Sequence, residues 1–222
     1  IVLIEFDPEI YHDLLQEIDK HGFQPVLVNF RKTSITSLRS IRHLKKSNSL
    51  IMLAEDWLKK SQFEEINTVK ANFLNKIRNV MENEIFLPNC VYEEIDFNVV
   101  VQKKIKNILV QRLDEYLTQI LVAESIENAN DVLGIITLNF SGETEKIFSR
   151  IRSDIPVILL QHGFANYTKS ISYFDLLDDY HLIKHKIAVW GDIIKDYLIH
   201  VKAIPENKII VSGSPKYDSY SR

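Results

Sequence analysis

Seven short apolar runs, each tied to a helical pattern or a turn, constrain this chain more than any other feature. IVLIEF (1–6), PVLVNF (25–30), SLIMLA (49–54), VLGIITL (132–138), PVILLQ (156–161), KIAVW (186–190) and KIIVS (208–212) carry apolar residues at successive positions. A strand with one face in water alternates apolar and polar residues, whereas a strand covered on both faces need not. Between the runs, apolar residues recur at helical spacing. Tyr11, Leu14, Leu15 and Ile18 form one stripe after Asp7, the expected cap, and Pro8 in the first turn, and Gly22 is the expected stop. Strand followed by helix, repeated, predicts an α/β fold: a Rossmann-like parallel sheet of about seven strands with helices on both faces.

A second helix is expected over 34–47, with Ile35, Leu38, Ile41 and Leu44 on its apolar side. The alternation then breaks. Residues 56–84 and 98–128 read as helical with no strand between them, only a loop containing FLPNC. Along the second stretch Ile105, Ile108, Leu109, Leu113, Tyr116, Leu117, Ile120 and Leu121 share one side with Arg112. The expectation is a two-long-helix excursion at about 56–128. Helices at 143–152 and 192–202 then resume the alternation, and a long loop with some helix covers about 164–185.

Composition narrows the functions such a fold could serve. Hydrophobic residues make up 45% and charged residues 26%, the balance of a packed globular chain. The net charge of −3 argues against a general nucleic-acid binder. A single cysteine, Cys90, leaves no disulfide framework and no cysteine-rich zinc site. The longest apolar run, Ile155 to Leu160, is far short of the ~20 residues that span a bilayer, and the start lacks the pattern of a signal peptide. A cytoplasmic protein is expected. The chain opens on Ile inside a strand pattern and stops just past another, so a piece of a longer protein is expected too.

Glycine occurs only six times in 222 residues, which makes its positions informative. Gly142, Gly163, Gly191 and Gly213 each fall one to three residues past the end of an expected strand. In open α/β sheets, ligands bind outside the carboxyl ends of the strands. Tight turns without a ligand would explain the same glycines, but their neighbours are polar. NFSGETE (139–145) offers Ser141 as a helix cap and Glu143 in the first turn, where a carboxylate also answers the helix dipole. In LLQHGFANYT (159–168) an apolar strand runs directly into Gln161, His162 and Gly163, which places a histidine for proton transfer. VWGDIIKDYL (189–198) offers Asp192 as a cap, and VSGSPKYD (211–218) ends the last strand in a rigid turn.

QHGF after a buried strand, VWG opening a helix and KIIVSGSPKYD about twenty residues on resemble the amino-terminal half of GT-B-type glycosyltransferases. The nearest likeness is to enzymes of surface polysaccharide and teichoic-acid-like polymer synthesis, and sugar-nucleotide 2-epimerases share the architecture. The likeness covers about 132–218; the first 130 residues match only in their alternation. It implies that residues 1–222 form one Rossmann-like acceptor-side domain, with a carboxy-terminal donor-binding domain beyond it. It implies His162 as general base, with Glu143 as its substitute. It also implies Gln161 and Gly163 shaping the loop, Asn139, Ser141 and Gly142 lining the acceptor side, and Gly191, Gly213, Ser214 and Lys216 facing the cleft. No cofactor or metal is implied in this domain; a nucleotide-sugar donor is expected in the second one. The expected partner is a carbohydrate or lipid-linked glycan acceptor. Half of an epimerase, or a non-enzymatic binding module whose long helices form a partner surface, remain alternatives.

Arg39, Arg42 and Lys46 share a helical face amid six basic residues and no acid between Arg31 and Lys46. A solvated face explains them, and a peripheral contact with the inner face of a membrane is the sharper reading. His181 and His185 stand at i, i+4 beside Asp178 and Asp179, with no third or fourth metal ligand evident. The aromatic-rich 164–185 segment reads as core cover, or as a lid. No GxGxxG, Walker A or GxSxG pattern occurs.

Overall fold

The computed structural model describes residues 1–31, 33–82, 91–126, 132–139, 142–151, 154–161, 163 and 178–216. In chain order, β1 (Val2–Ile4), α1 (His12–Lys20), β2 (Val26–Val28), α2 (Leu38–Lys46) and β3 (Leu50–Ile51) open the fold. The excursion follows as α3 (Ala54–Trp57), α4 (Lys60–Glu82), a hairpin of β4 (Val91–Tyr92) and β5 (Ile95–Asp96), and α5 (Asn98–Ser125). The chain then returns through β6 (Ile135–Thr137), α6 (Glu143–Ile151), β7 (Val157–Leu160), β8 (Lys186–Val189), α7 (Asp192–His200) and β9 (Ile209–Val211).

Seven strands form one sheet in the order β3-β2-β1-β6-β7-β8-β9, with every pairing parallel. The expected doubly covered sheet is present, and its core explains the missing alternation. Val2 and Ile4 pack on one face with Val122, Ala123 and Ile126 of the α5 end and Phe148 of α6. Leu3, between them in sequence, packs on the other face with Leu15 of α1 and Leu44 of α2. All three β1 side chains are at most 1% exposed, so β1 has no wet face on which a polar residue could sit. Toward the β9 edge, on the same face as Ile4, Leu159, Ile187 and Val189 bury Ile194 and Leu198 of α7.

Several boundaries differ from expectation, each for a local reason. β1 stops at Ile4 because Glu5 adopts φ +62°, a left-handed turn that a strand cannot continue through. Asp7 accepts the amide of Glu9 at 2.8 Å and so caps a turn; α1 itself starts at His12. Its end is as expected: Gly22, at φ +81°, donates to Asp19, and Phe23 donates to Ile18, a Schellman closure that needs the left-handed residue. α2 starts at Ser37, whose hydroxyl accepts the amides of Arg39 and Ser40 in a capping box. That start leaves Ile35 and Leu38 exposed and turns Ser40 and Leu44 inward. Of the expected stripe of α2, Leu44 is buried and Ile41 half-buried, while Ile35 and Leu38 are exposed.

The excursion differs most. Between its long helices lies the β4–β5 hairpin, turned by Glu93 and Glu94 at φ +48° and +69°. Two left-handed central residues are what a tight hairpin requires, but Glu-Glu carries none of the Asn-Gly signal that would announce it. The stripe along α5 is also only half right. Leu117 and Leu121 pack on the core, while Ile108 and Leu109 are 46% and 38% exposed. Only the last turns of α5 reach the sheet; the first half extends beyond it.

Where α1 meets α2, the His12 and His43 rings lie 4.4 Å apart. Hydroxyl hydrogen bonds from Ser37 and Ser40 hold the Glu9 carboxyl below its usual range, and burial, aided by the charge of His12, lowers His43. Both depressions favour the deprotonated folded form. The contribution of His43 is therefore full above its ordinary 6.5 and declines as pH falls below it; that of Glu9 is lost further down, as pH falls through its folded value. The protection of α2 amides, corrected for the intrinsic pH dependence of exchange, is expected to fall relative to α7 on acidification below about pH 6.5. Protection that stays level with that of α7 would remove this account of the contact.

Candidate functional site

The strand order reverses between β1 and β6: the chain works outward to β3 on one side and later to β9 on the other. Loops leaving β1 and β6 therefore diverge and open a crevice at the carboxyl edge. Three charged side chains from separate elements meet there. Glu5, just past β1, accepts the amides of Phe30 and Arg31 at 2.8 and 3.0 Å. Arg31, just past β2, places Nε 3.5 Å from the same Glu5 oxygen and pairs through Nη2 with Glu145 of α6. The Glu5 and Glu145 side chains are only 8% and 1% exposed, against 45% for Arg31. The guanidinium is thus clamped between two buried carboxylates with one side toward solvent. The left-handed backbone at Glu5, costly for a residue with a side chain, is what turns its carboxylate back onto the β2 loop.

Gly142 completes this cluster by what it lacks. A Cβ there would lie 2.0 Å from Oε2 of Glu145 and 3.1 Å from Nη1 of Arg31. Only glycine lets the buried pair approach the backbone so closely. Gly142 also accepts the Lys146 amide at the start of α6. Its neighbour Glu143 turns elsewhere, to Arg112 of α5 at 3.5 Å and to the Tyr116 hydroxyl, whose pKa this hydrogen bond raises. The candidate substitute base is 56% exposed and already engaged by the excursion.

Next to the cluster, a cleft of ≈290 Å³ runs along the ends of β2 and β3, lined by Asn29, Phe30, Arg31, Ser34, Ile51 and Leu53 among others. The Asn29 amide donates to the Phe6 carbonyl at 2.9 Å, which leaves its Oδ1 buried without a hydrogen-bond partner. Ser34, 5% exposed, has a hydroxyl in the same condition. Unpaired buried polar atoms are costly, and here two of them belong to residues that line one cleft, behind its solvent-accessible surface.

The expected glycine-bearing loops leave β6, β7, β8 and β9, consecutive neighbours in the sheet, so they do share one edge. Gln161 joins two of them. Its side chain donates to the Gly163 carbonyl and accepts the Trp190 amide, both at 2.9 Å. Its backbone carbonyl accepts the Trp190 indole at 2.7 Å. With 2% exposure and both ends of its amide used, Gln161 shapes the loop rather than presenting itself to a ligand. Gly191, not Asp192, caps α7. No atom lies within 4 Å of a Cβ added at Gly163, Gly191 or Gly213, so close approach within the chain explains only Gly142. The Ser214 hydroxyl is buried and unpaired, and Lys216 is exposed. Asn139 follows β6, its carbonyl accepting the Thr137 hydroxyl. His162 and Ser141 lie outside the described residues. Arg39, Arg42 and Lys46 are exposed on α2. Among the described residues, no helix is long and apolar enough to cross a membrane.

The sequence reading passed over Glu5, Asn29, Arg31, Ser34 and Glu145 as site residues. A usable signal existed for two of them. Glu5 and Asn29 each interrupt an apolar run at its carboxyl end, as Gln161 does.

No family model and no curated protein matches the chain. A solved glycosyltransferase from Rickettsia africae ESF-5 is similar to it, with a TM-score of 0.46 and 13% identity over 96% of this chain. The chain spans 42% of the length of that protein.

Proposed function

We propose that this chain is the acceptor-side domain of a glycosyltransferase, or of a glycerophosphotransferase, acting from a nucleotide-activated donor on a cell-surface glycan. The observation that carries the reading is the cleft beside the switch point. Phe30, Ile51 and Leu53 offer an apolar wall against which the face of a sugar ring can lie. Asn29 and Ser34 line the same cleft, and a shift of their side chains would bring the unpaired Oδ1 and hydroxyl to the hydroxyl groups of the ring. The cleft and the β7 loop stand three strand spacings apart in the sheet order, about 14 Å at ~4.8 Å per spacing. An acceptor of several sugar units, laid along the edge, would fill the cleft and still reach His162.

There His162 would take the proton of the attacking hydroxyl. The new bond forms from that oxygen to the anomeric carbon as the bond to the donor's phosphate oxygen breaks. General-base assistance of this kind contributes ~10²–10⁴-fold. The donor would be held by a second domain, and no metal is required of the residues named here. In the full-length protein, His162→Ala is expected to lower turnover by that factor while circular dichroism stays unchanged. Retained turnover would end the catalytic role of His162. Conversion of a nucleotide-sugar with no acceptor present would instead identify an epimerase.

A second reading, an interaction module, draws on one observation: Val69 and Phe73 of α4 and Val99, Val100 and Ile108 of α5 are 42–76% exposed. It predicts that His162→Ala changes nothing and that charged replacements on these helices abolish an association.

A further inference from the structure

The outer face of α2 carries charges that the fold itself does not use. Ser40, Leu44 and Ser47 recur at i, i+4 and i+7 and are all buried, so they mark the side of the helix that meets the sheet. At about 100° per residue, the opposite side holds Leu38, Arg42 and Lys45, flanked by Arg39 and Lys46. All five are exposed. Among the described residues, none forms an ion pair with Arg42, Lys45 or Lys46, and Arg39 donates to the His43 ring at 3.4 Å. The sequence from Arg31 to Lys46 contains no acid that could answer them locally.

A merely solvated face would hold charges alone, yet this one adjoins three exposed aliphatic side chains. Leu38 is 76% exposed, and Ile35 and Leu53, which line the neighbouring cleft, are 50% and 59% exposed. All three lie at the carboxyl edge of the strands, where β2 and β3 end and α2 begins. Single exposed apolar residues are ordinary. Three of them at one end of a cationic helix face suit a lipid surface, where cations meet headgroup phosphates and apolar groups enter the acyl boundary. A nucleic-acid backbone would engage the cations and give the aliphatic groups nothing to bury. We propose that this corner docks on an anionic lipid surface, with Arg39, Arg42, Lys45 and Lys46 among the headgroups and Ile35, Leu38 and Leu53 below them. The docking stands independently of the transferase reading, although it would turn the mouth of the cleft toward the bilayer.

The test is sedimentation of the whole chain with mixed phosphatidylglycerol–phosphatidylcholine vesicles and with phosphatidylcholine vesicles alone. Pelleting with the anionic vesicles only, reduced by added salt, is expected. Each cation near such a surface is worth about fivefold in binding, so Arg42→Gln combined with Lys45→Gln should weaken it roughly 25-fold. Leu38→Ser keeps every charge and should weaken it about tenfold through the lost apolar contact. These positions are exposed, so circular dichroism should be unchanged. Lys103→Gln with Lys104→Gln, at exposed positions of α5, removes as much charge elsewhere and should leave pelleting nearly intact. Absence of pelleting, or equal loss in the α5 variant, overturns the proposal. Binding that Leu38→Ser leaves untouched overturns it too, as does binding to a duplex oligonucleotide without pelleting, which would assign a nucleic acid instead.

Discussion

Replacing Arg31 with methionine is expected to lower the unfolding free energy by about 2–3 kcal/mol at neutral pH, seen as a lower denaturant midpoint at unchanged slope. The change leaves the Glu145 carboxylate, 1% exposed, without its cation, while one of its oxygens already has no hydrogen-bond partner. Glu5 keeps its two backbone amides and suffers less. Breaking a fully buried pair typically costs ~3–5 kcal/mol. The lower figure here follows from the 45% exposure of Arg31, which lets water reach the gap. Methionine keeps most of the apolar stem, so the loss reports charge rather than packing. The decisive comparison is Arg31→Met with Glu145→Gln: once the carboxylate is neutral, more than half of the loss should return. If the double variant is as unstable as Arg31→Met alone, the pair is not what Arg31 contributes. The same cluster ties β1, β2 and α6 together at the crevice, so its loosening would widen the site as well as weaken the fold.

The fold was legible because the sheet is covered on both faces. Burial of Val2, Leu3 and Ile4 alike writes an unbroken apolar run into the sequence, and seven such runs gave the strands. Where the chain departs from simple burial, legibility ended. Glu93 and Glu94 turn a hairpin in left-handed conformations that neither residue advertises. In α2 one inward position holds Ser40, which closes the capping box and bonds the Glu9 carboxylate, so polarity there pointed the wrong way. α5 is helical throughout but reaches the core only near its end, and spacing cannot say how far a helix extends past its sheet. The glycine argument placed four loops on one edge of the sheet, as the strand order has them. It missed the charged cluster because Glu5, Arg31 and Glu145 are separated by 26 and 114 residues. Only the strand order brings them together.

Gln161→Leu is the other substitution with a large expected effect, and it tests whether the β7 and β8 loops act as one unit. Leucine fills nearly the same volume but can neither donate to the Gly163 carbonyl nor accept the Trp190 amide, bonds now made at 2.9 Å each. Leaving a buried donor and a buried acceptor unpaired costs roughly 1–3 kcal/mol apiece, and partial access to water brings the expected total to about 2–4 kcal/mol. The backbone carbonyl of residue 161 would still be present to accept the Trp190 indole, so that bond becomes the reporter. In a Trp57→Phe background Trp190 is the only tryptophan left. Its emission should move to longer wavelength in Gln161→Leu if the loop swings away. An unshifted emission with lowered stability would mean that the indole contact alone holds the two loops, and that the side chain of Gln161 serves stability only. A shifted emission with turnover lost in the full-length protein would instead tie the placement of the segment carrying His162 to this one buried amide.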